Sequence, residues 1–196
     1  NCEAKVVVCD AIFPDFIEEI NKQLPEVIVM SVDGEHPLAI PFNKTIAEYD
    51  ESDISDPVAG RSMLYTSGTT GRPKGVFRKE NPPPSKTEQF TLDTAAFNPE
   101  TDFSICPGPA YHAAPLGLNI NISLMAGVGV YLMDKWDAEK MLDLISQYKC
   151  THTHMVATMF HRVLRLPEEV RSKYDISSMR WILHGAAPCP VEVKKA

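Results

Sequence analysis

Residues 5–32 read KVVVCDAIFPDFIEEINKQLPEVIVMSV, and this stretch decides the architecture. Residues 5–9 form a β-branched apolar run too short for a helix, so they read as a buried strand. Phe13, Ile17, Ile20 and Leu24 then recur at helical spacing, with Pro14 tolerated in the first turn and Asp10 placed to cap the helix. Residues 27–32 are a second apolar run of strand length. A strand, a helix and a strand within about thirty residues are the unit that builds parallel sheets.

The same rhythm returns further along. Residues 103–106 and 128–133 read as strands, and residues 137–148 as a helix with Met141, Leu144, Ile145 and Tyr148 on one face. Residues 151–155 and 181–184 supply two more strands, separated by a helix over residues 157–166. The expected class is α/β, a mostly parallel sheet flanked by helices. Two stretches break the pattern. Residues 48–56 carry Glu48, Asp50, Glu51, Asp53 and Asp56 and read as a solvated linker. Asn81-Pro-Pro-Pro84 can continue neither a helix nor an interior strand.

Composition narrows the partners. The 196 residues are 44% hydrophobic and 23% charged, enough apolar content for a globular core. The net charge of −7 and the lack of a basic patch exclude a nucleic-acid binder and favour a small-molecule partner. An anionic ligand must then be drawn in by local amides, a lysine or a metal ion. Five widely spaced cysteines (Cys2, Cys9, Cys106, Cys150, Cys189), with no Cys-x-x-Cys pair, fit a reducing, cytoplasmic compartment. No segment approaches the roughly 20 apolar residues of a membrane helix. The chain starts without Met, just before a strand, as a piece of a longer protein would.

The glycine-rich stretch Tyr65-Thr-Ser-Gly-Thr-Thr-Gly-Arg-Pro-Lys-Gly-Val76 joins two extended segments. It is not a Walker loop, because counting from Gly68 puts Pro73 where the second glycine belongs and Gly75 where the hydroxyl belongs. The dinucleotide fingerprint fails as well. The chemistry is nevertheless suited to phosphate. Gly68 and Gly71 let backbone amides approach an anion, Thr66, Ser67, Thr69 and Thr70 offer hydroxyl donors, and Lys74 adds a point charge behind the stiffening Pro73.

Twelve specified positions in a row resemble the signature loop of the adenylate-forming superfamily, which holds acyl-CoA synthetases, peptide-synthetase adenylation domains and luciferases. By that resemblance Thr66, Ser67, Gly68, Thr69, Thr70, Gly71 and Lys74 hold the β and γ phosphates of ATP. Two further strings agree in kind and order. Pro109-Ala-Tyr-His-Ala-Ala-Pro115 is similar to the segment bordering the carboxylate pocket, which makes His112 the candidate catalytic residue, orienting the substrate carboxylate. Trp181-Ile-Leu-His-Gly-Ala-Ala-Pro188 is similar to the segment lying against adenine, where Gly185, Ala186, Ala187 and Pro188 permit close approach of a flat base.

The resemblance implies that residues 1–196 are the central part of the large N-terminal domain of an AMP-forming acyl-CoA synthetase, without its mobile C-terminal domain. It implies a reaction in which a small-molecule carboxylic acid, fatty or otherwise bulky, is joined to ATP and then to coenzyme A, with Mg2+ as the counter-ion. The glutamate that holds magnesium, the aspartate that grips ribose and the adenylation lysine are expected elsewhere, so the 196 residues alone are expected to be inactive. Uncovered strand faces would leave such a piece able to oligomerise. The alternatives are a catalytically silent nucleotide-binding module and a peptide-synthetase adenylation domain, although the latter normally carries Phe-Asp where this chain has Tyr111-His112; luciferase-type oxygenation is an outsider. His152 and His154 share one face of a strand but lack a third ligand, so they read as core or surface histidines. Cys189 lacks a partner base, and no Gly-x-Ser-x-Gly elbow makes Ser67 a nucleophile.

Overall fold

The computed structural model describes residues 3–58, 60, 62–66, 71, 73–77, 86–185 and 188–196. The chain divides into two compact units, residues 1–79 and 80–196.

In the first unit, β1 (Val6–Asp10) pairs in parallel with β2 (Ile28–Val32) across α1 (Pro14–Gln23), as the opening stretch predicts. A short β3 (Ile40–Pro41) continues the parallel sheet and runs into α2 (Phe42–Ile46). Ile17 is fully buried against this sheet, worth about 1.5–3 kcal/mol of apolar burial. Asp10 does not cap α1. It ends β1, and its Oδ1 accepts the Ile12 N–H at 2.9 Å, closing the strand-to-helix turn; the helix is instead opened by Pro14 at its first position. Phe13 and Leu24, expected on the buried stripe, are about half exposed. Val6, Val8 and Ile28 are also about half exposed, as an uncovered sheet face predicts. Residues 50–58 are irregular and exposed, consistent with the solvated acidic linker. The unit ends with β4 (Leu64–Thr66) and β5 (Lys74–Val76), an antiparallel pair.

The second unit carries a four-stranded sheet, all parallel. It contains β6 (Phe103–Cys106), β7 (Gly129–Leu132), β8 (His152–Val156) and β9 (Trp181–Gly185), in the spatial order β7-β6-β8-β9. Its helices are α3 (Lys86–Thr94), a π-helix (Pro115–Asn121) running into α4 (Ile122–Met125), α5 (Ala138–Tyr148), α6 (Ala157–Leu164), α7 (Glu168–Arg171) and α8 (Val191–Lys195). Met141, Leu144 and Ile145 of α5 pack on Ile105, Cys150 and Met155 to make the core. Asp137 caps α5 by accepting the Lys140 N–H at 2.7 Å, a contact worth about 1 kcal/mol. Tyr148, on the same helix, is half exposed, and its ring lies 5.1 Å from that of Tyr131.

The opposite face of this sheet is polar inside. Ser104 and Ser123 share a 2.7 Å hydroxyl bond beneath α4, and His152 stacks on Phe97 at 4.3 Å. Asp102, almost wholly buried, accepts the Asn98 N–H at 2.7 Å and takes Arg180 Nη2 on both oxygens at 2.5 Å. Each of these buried groups meets a partner, which is what makes a polar layer tolerable in a sheet interior.

Candidate active site

The antiparallel pairing of β4 with β5, Leu64 opposite Val76, Tyr65 opposite Gly75 and Thr66 opposite Lys74, makes the glycine-rich stretch the tip of a hairpin. Thr66 Oγ1 donates to the Lys74 carbonyl at 3.5 Å, tying the two sides at its base. Gly71 has φ of +79°, a left-handed backbone that favours glycine. Gly75 is constrained differently: a Cβ there would fall 2.1 Å from the Met63 methyl and 3.2 Å from the Tyr65 ring. Thr66, Gly71 and Lys74 are exposed and open to a ligand. Ser67, Gly68, Thr69 and Thr70 lie outside the described residues, as do Ala186 and Ala187 of the third string and the prolines at 82–84.

The other two strings meet in the second unit around the carboxyl end of β8. After β6 the chain turns at Pro109, whose carbonyl accepts the His112 N–H at 3.0 Å, and His112 passes the chain on by accepting the Leu116 N–H at 3.1 Å. The exposed His112 ring has Nδ1 facing the Ala114 N–H at 3.4 Å, which leaves Nε2 for a ligand. The following π-helix is wider than an α-helix, a form that often marks functional sites. It carries Asn119, which is 2% exposed. Asn119 Oδ1 accepts the His154 N–H at 2.7 Å, and its Nδ2 donates to the His154 carbonyl at 3.4 Å. β6 pairs with β8 only as far as Thr153, so this carboxamide takes the place of the strand partner that β6 no longer supplies.

His154 connects the two strings. Its ring is 3% exposed, and its Nε2 has no hydrogen-bond partner among the described residues. Burial, then the neighbouring His112 and His184, push its pKa below the ordinary imidazole value, so the ring is neutral. A Cβ on Gly185 would sit 3.2 Å from this Nε2, so glycine at the end of β9 gives the imidazole room. Pro188, beyond it, is exposed. The sequence reading treated His154 as a packing residue and missed Asn119 entirely. The signal for His154 was the alternation Thr-His-Thr-His over residues 151–154; Asn119 had none, because its role depends on the π-helix.

His152 is neutral as well, its pKa lowered by burial. Its Nε2–H donates to the Ala95 carbonyl at 2.9 Å, leaving Nδ1 to accept from Thr151 Oγ1 at 2.7 Å. No group of three metal-ligating side chains exists among the described residues. The thiol of Cys150 is pushed up to about 11 by burial, and that of Cys106 is also raised by burial; neither is a nucleophile. No helix of the described residues is long and apolar enough to cross a membrane.

In the first unit the hairpin sets the glycine-rich stretch between two strands, and in the second unit the other two strings come near the carboxyl end of β8. The family model described as AMP-binding enzyme matches residues 1–196. The chain belongs to the AMP-binding enzyme family. Among curated relatives, 4-coumarate–CoA ligase 1 of Petroselinum crispum is 30% identical over 200 residues, covering 99% of this chain and 36% of that protein. Among solved structures, ATP-bound MatB from Rhodopseudomonas palustris superposes with a TM-score of 0.72 at 28% identity, covering 97% of this chain and 37% of that one. The anthranilate CoA ligase AuaEII, in complex with anthranoyl-AMP, shares the fold with a TM-score of 0.74 at 23% identity over 98% of this chain and 38% of its own. The chain therefore spans little more than a third of the length of the relatives it matches.

Proposed function

We propose that the protein to which these residues belong is an AMP-forming acid–thiol ligase. It activates a carboxylic acid with ATP to an acyl-adenylate and passes the acyl group to coenzyme A. The observation that carries this reading is the hairpin tip at residues 66–74, since it is neither a Walker nor a dinucleotide loop and occurs in a chain whose whole length matches the family. In this reading Thr66, Ser67, Gly68, Thr69, Thr70 and Gly71 present hydroxyls and amides to the β and γ phosphates. Lys74 offsets charge that builds on departing pyrophosphate as the carboxylate attacks the α phosphorus. His112 Nε2 borders the carboxylate, while Gly185, Ala186, Ala187 and Pro188 lie against adenine. Magnesium, where bound, would screen the phosphates. The described residues offer no cluster to hold it, so no step is assigned to it.

The acid is a fatty acid or another bulky acid, with aromatic acids brought into range by the plant relative. ATP–pyrophosphate exchange by the full-length protein over a panel of fatty, aromatic and steroid acids, followed by thioester detection, tests the reading. Acid-dependent exchange and a CoA thioester are expected. ATP binding without exchange for any acid would instead make this a silent nucleotide-binding module. Residues 1–196 expressed alone are expected to give no exchange.

A further inference from the structure

Four buried side-chain nitrogens have no hydrogen-bond partner among the described residues: His154 Nε2, Arg171 Nε, Trp181 Nε1 and His184 Nδ1. Arg171, Trp181 and His184 are half-buried residues, whereas His154 is 3% exposed. A polar atom this deep is costly unless something completes it. His154 is therefore the position at which a missing partner says most about a ligand.

The surroundings leave room for that partner. His154 lies on β8 two residues before its carboxyl end, and Gly185 ends the neighbouring β9 opposite Val156. A Cβ built on Gly185 would meet the His154 ring, 3.2 Å from Nε2 and 4.0 Å from Cδ2; beyond the chain neighbours of Gly185, no other described atom lies within 4 Å of it. The absent side chain thus opens a space against Nε2 at the separation of a hydrogen bond, about 3 Å. Asn119 holds both peptide groups of His154, so the imidazole is presented to this space from a fixed strand.

The chemistry of the ring selects the kind of group. Burial keeps it neutral, so Nε2 is an N–H donor in one tautomer and a lone-pair acceptor in the other. A hydroxyl both donates and accepts, and it completes either form. A carboxylate can only accept, and a hydrocarbon does neither. Resting on the ligase reading, in which the exposed His112 borders the carboxylate, we infer that His154 selects acids bearing a hydroxyl on the part of the molecule that enters the protein, with that hydroxyl bonded to Nε2 beside Gly185. His154 is thus a specificity residue, meeting the acid away from its reacting carboxylate. The competing occupant is a trapped water, which would leave the site indifferent to hydroxylation.

The test uses the full-length protein in ATP–pyrophosphate exchange at saturating ATP. Acids are supplied in matched sets: hexadecanoic acid against its monohydroxylated positional isomers, and cinnamic acid against its ring-hydroxylated isomers. The parent protein should favour one hydroxylated isomer over its unhydroxylated counterpart by about 10- to 100-fold in kcat/KM, the scale of one buried polar atom paired or left open. His154→Leu should erase this preference while retaining exchange with the unhydroxylated acid. His154→Gln, which keeps a donor and an acceptor, should restore part of it. A merely structural role would instead lower both members of a pair alike. Gly185→Ala fills the space next to Nε2 and should also reduce the preference, so it carries the test if His154→Leu does not fold. Equal kcat/KM within every set, or a preference that survives in the folded variants, would overturn the inference and leave the ligase reading standing. Exchange with no acid at all would sink both.

Discussion

Replacing Asn119 with Ala tests whether one carboxamide organises the site in the second unit. The side chain is 2% exposed and meets both peptide groups of His154, at 2.7 Å to the N–H and 3.4 Å from the carbonyl. Alanine leaves both groups buried and unpaired. An unsatisfied buried group costs about 1–3 kcal/mol, and the longer bond contributes at the lower end, so the loss should be about 2–4 kcal/mol. Because the break is local, it should appear first as faster hydrogen exchange of the His154 amide, by on the order of 100-fold. The Asn119→Asp variant sharpens the test. It keeps the acceptor for the His154 N–H but turns a second oxygen toward the His154 carbonyl and buries an unpaired charge, so it should be at least as damaging near neutral pH and partly recover in acid as the carboxyl protonates. Thermal unfolding and amide exchange of the full-length protein measure both. Stability within about 0.5 kcal/mol of the parent, the typical effect of an indifferent surface substitution, with unchanged His154 exchange, would refute the clamp.

Other outcomes follow from the same geometry. His152 and His154 have folded pKa values below the ordinary imidazole value, so the unfolded chain binds protons first. Stability should therefore be level above about pH 6.5 and fall below it by up to about 1.4 kcal/mol per pH unit per histidine; acid titration of His154→Gln should show a shallower fall. Gly71→Ala places a side chain at φ +79° and should cost about 1–2 kcal/mol in thermal unfolding. Gly185→Ala puts a methyl 3.2 Å from His154 Nε2 and should raise the KM for ATP or acid by displacing that ring, as steady-state kinetics would show. Lys74→Gln, at an exposed position, should leave the melting temperature unchanged while lowering the rate of pyrophosphate exchange.

The fold was legible wherever apolar periodicity and strand length agreed. Residues 103–106 were read as a strand, and β6 spans Phe103–Cys106; residues 137–148 were read as a helix, and α5 is Ala138–Tyr148 with Asp137 as its cap. Asp10 misled because a cap is a geometric fact. An acid before a helical run suggests an N-cap, but here two residues separate the end of β1 from Phe13, which flanks α1, and the carboxylate closes a turn within that gap. The π-helix escaped notice because Pro115-Leu-Gly-Leu-Asn-Ile-Asn121 has no period that distinguishes a wide helical turn from a loop.

The candidate site divides along the same line. A contiguous string carries its own chemistry, and so residues 66–74 are recognisable from the sequence as a candidate phosphate-binding stretch. What a string does not carry is contact at a distance. Asn119 and His154 are thirty-five positions apart, and Gly185 is needed beside His154 only because β9 lies next to β8 in the sheet. The polar character of β8 was visible as His-Thr-His, yet polarity in a strand points equally to an edge, a solvated face or a partnered interior. The partners decide: Thr153 Oγ1 donates to the Ile105 carbonyl at 2.8 Å, His152 to Ala95, and Asn119 satisfies the His154 backbone. Nε2 of His154 is left over where the strings around His112 and Gly185 converge, as is Nδ1 of His184 within the second string. In the ligase reading proposed above, this neutral imidazole, held by its backbone and lacking a protein partner at Nε2, is a polar atom that an acid bordering His112 would meet.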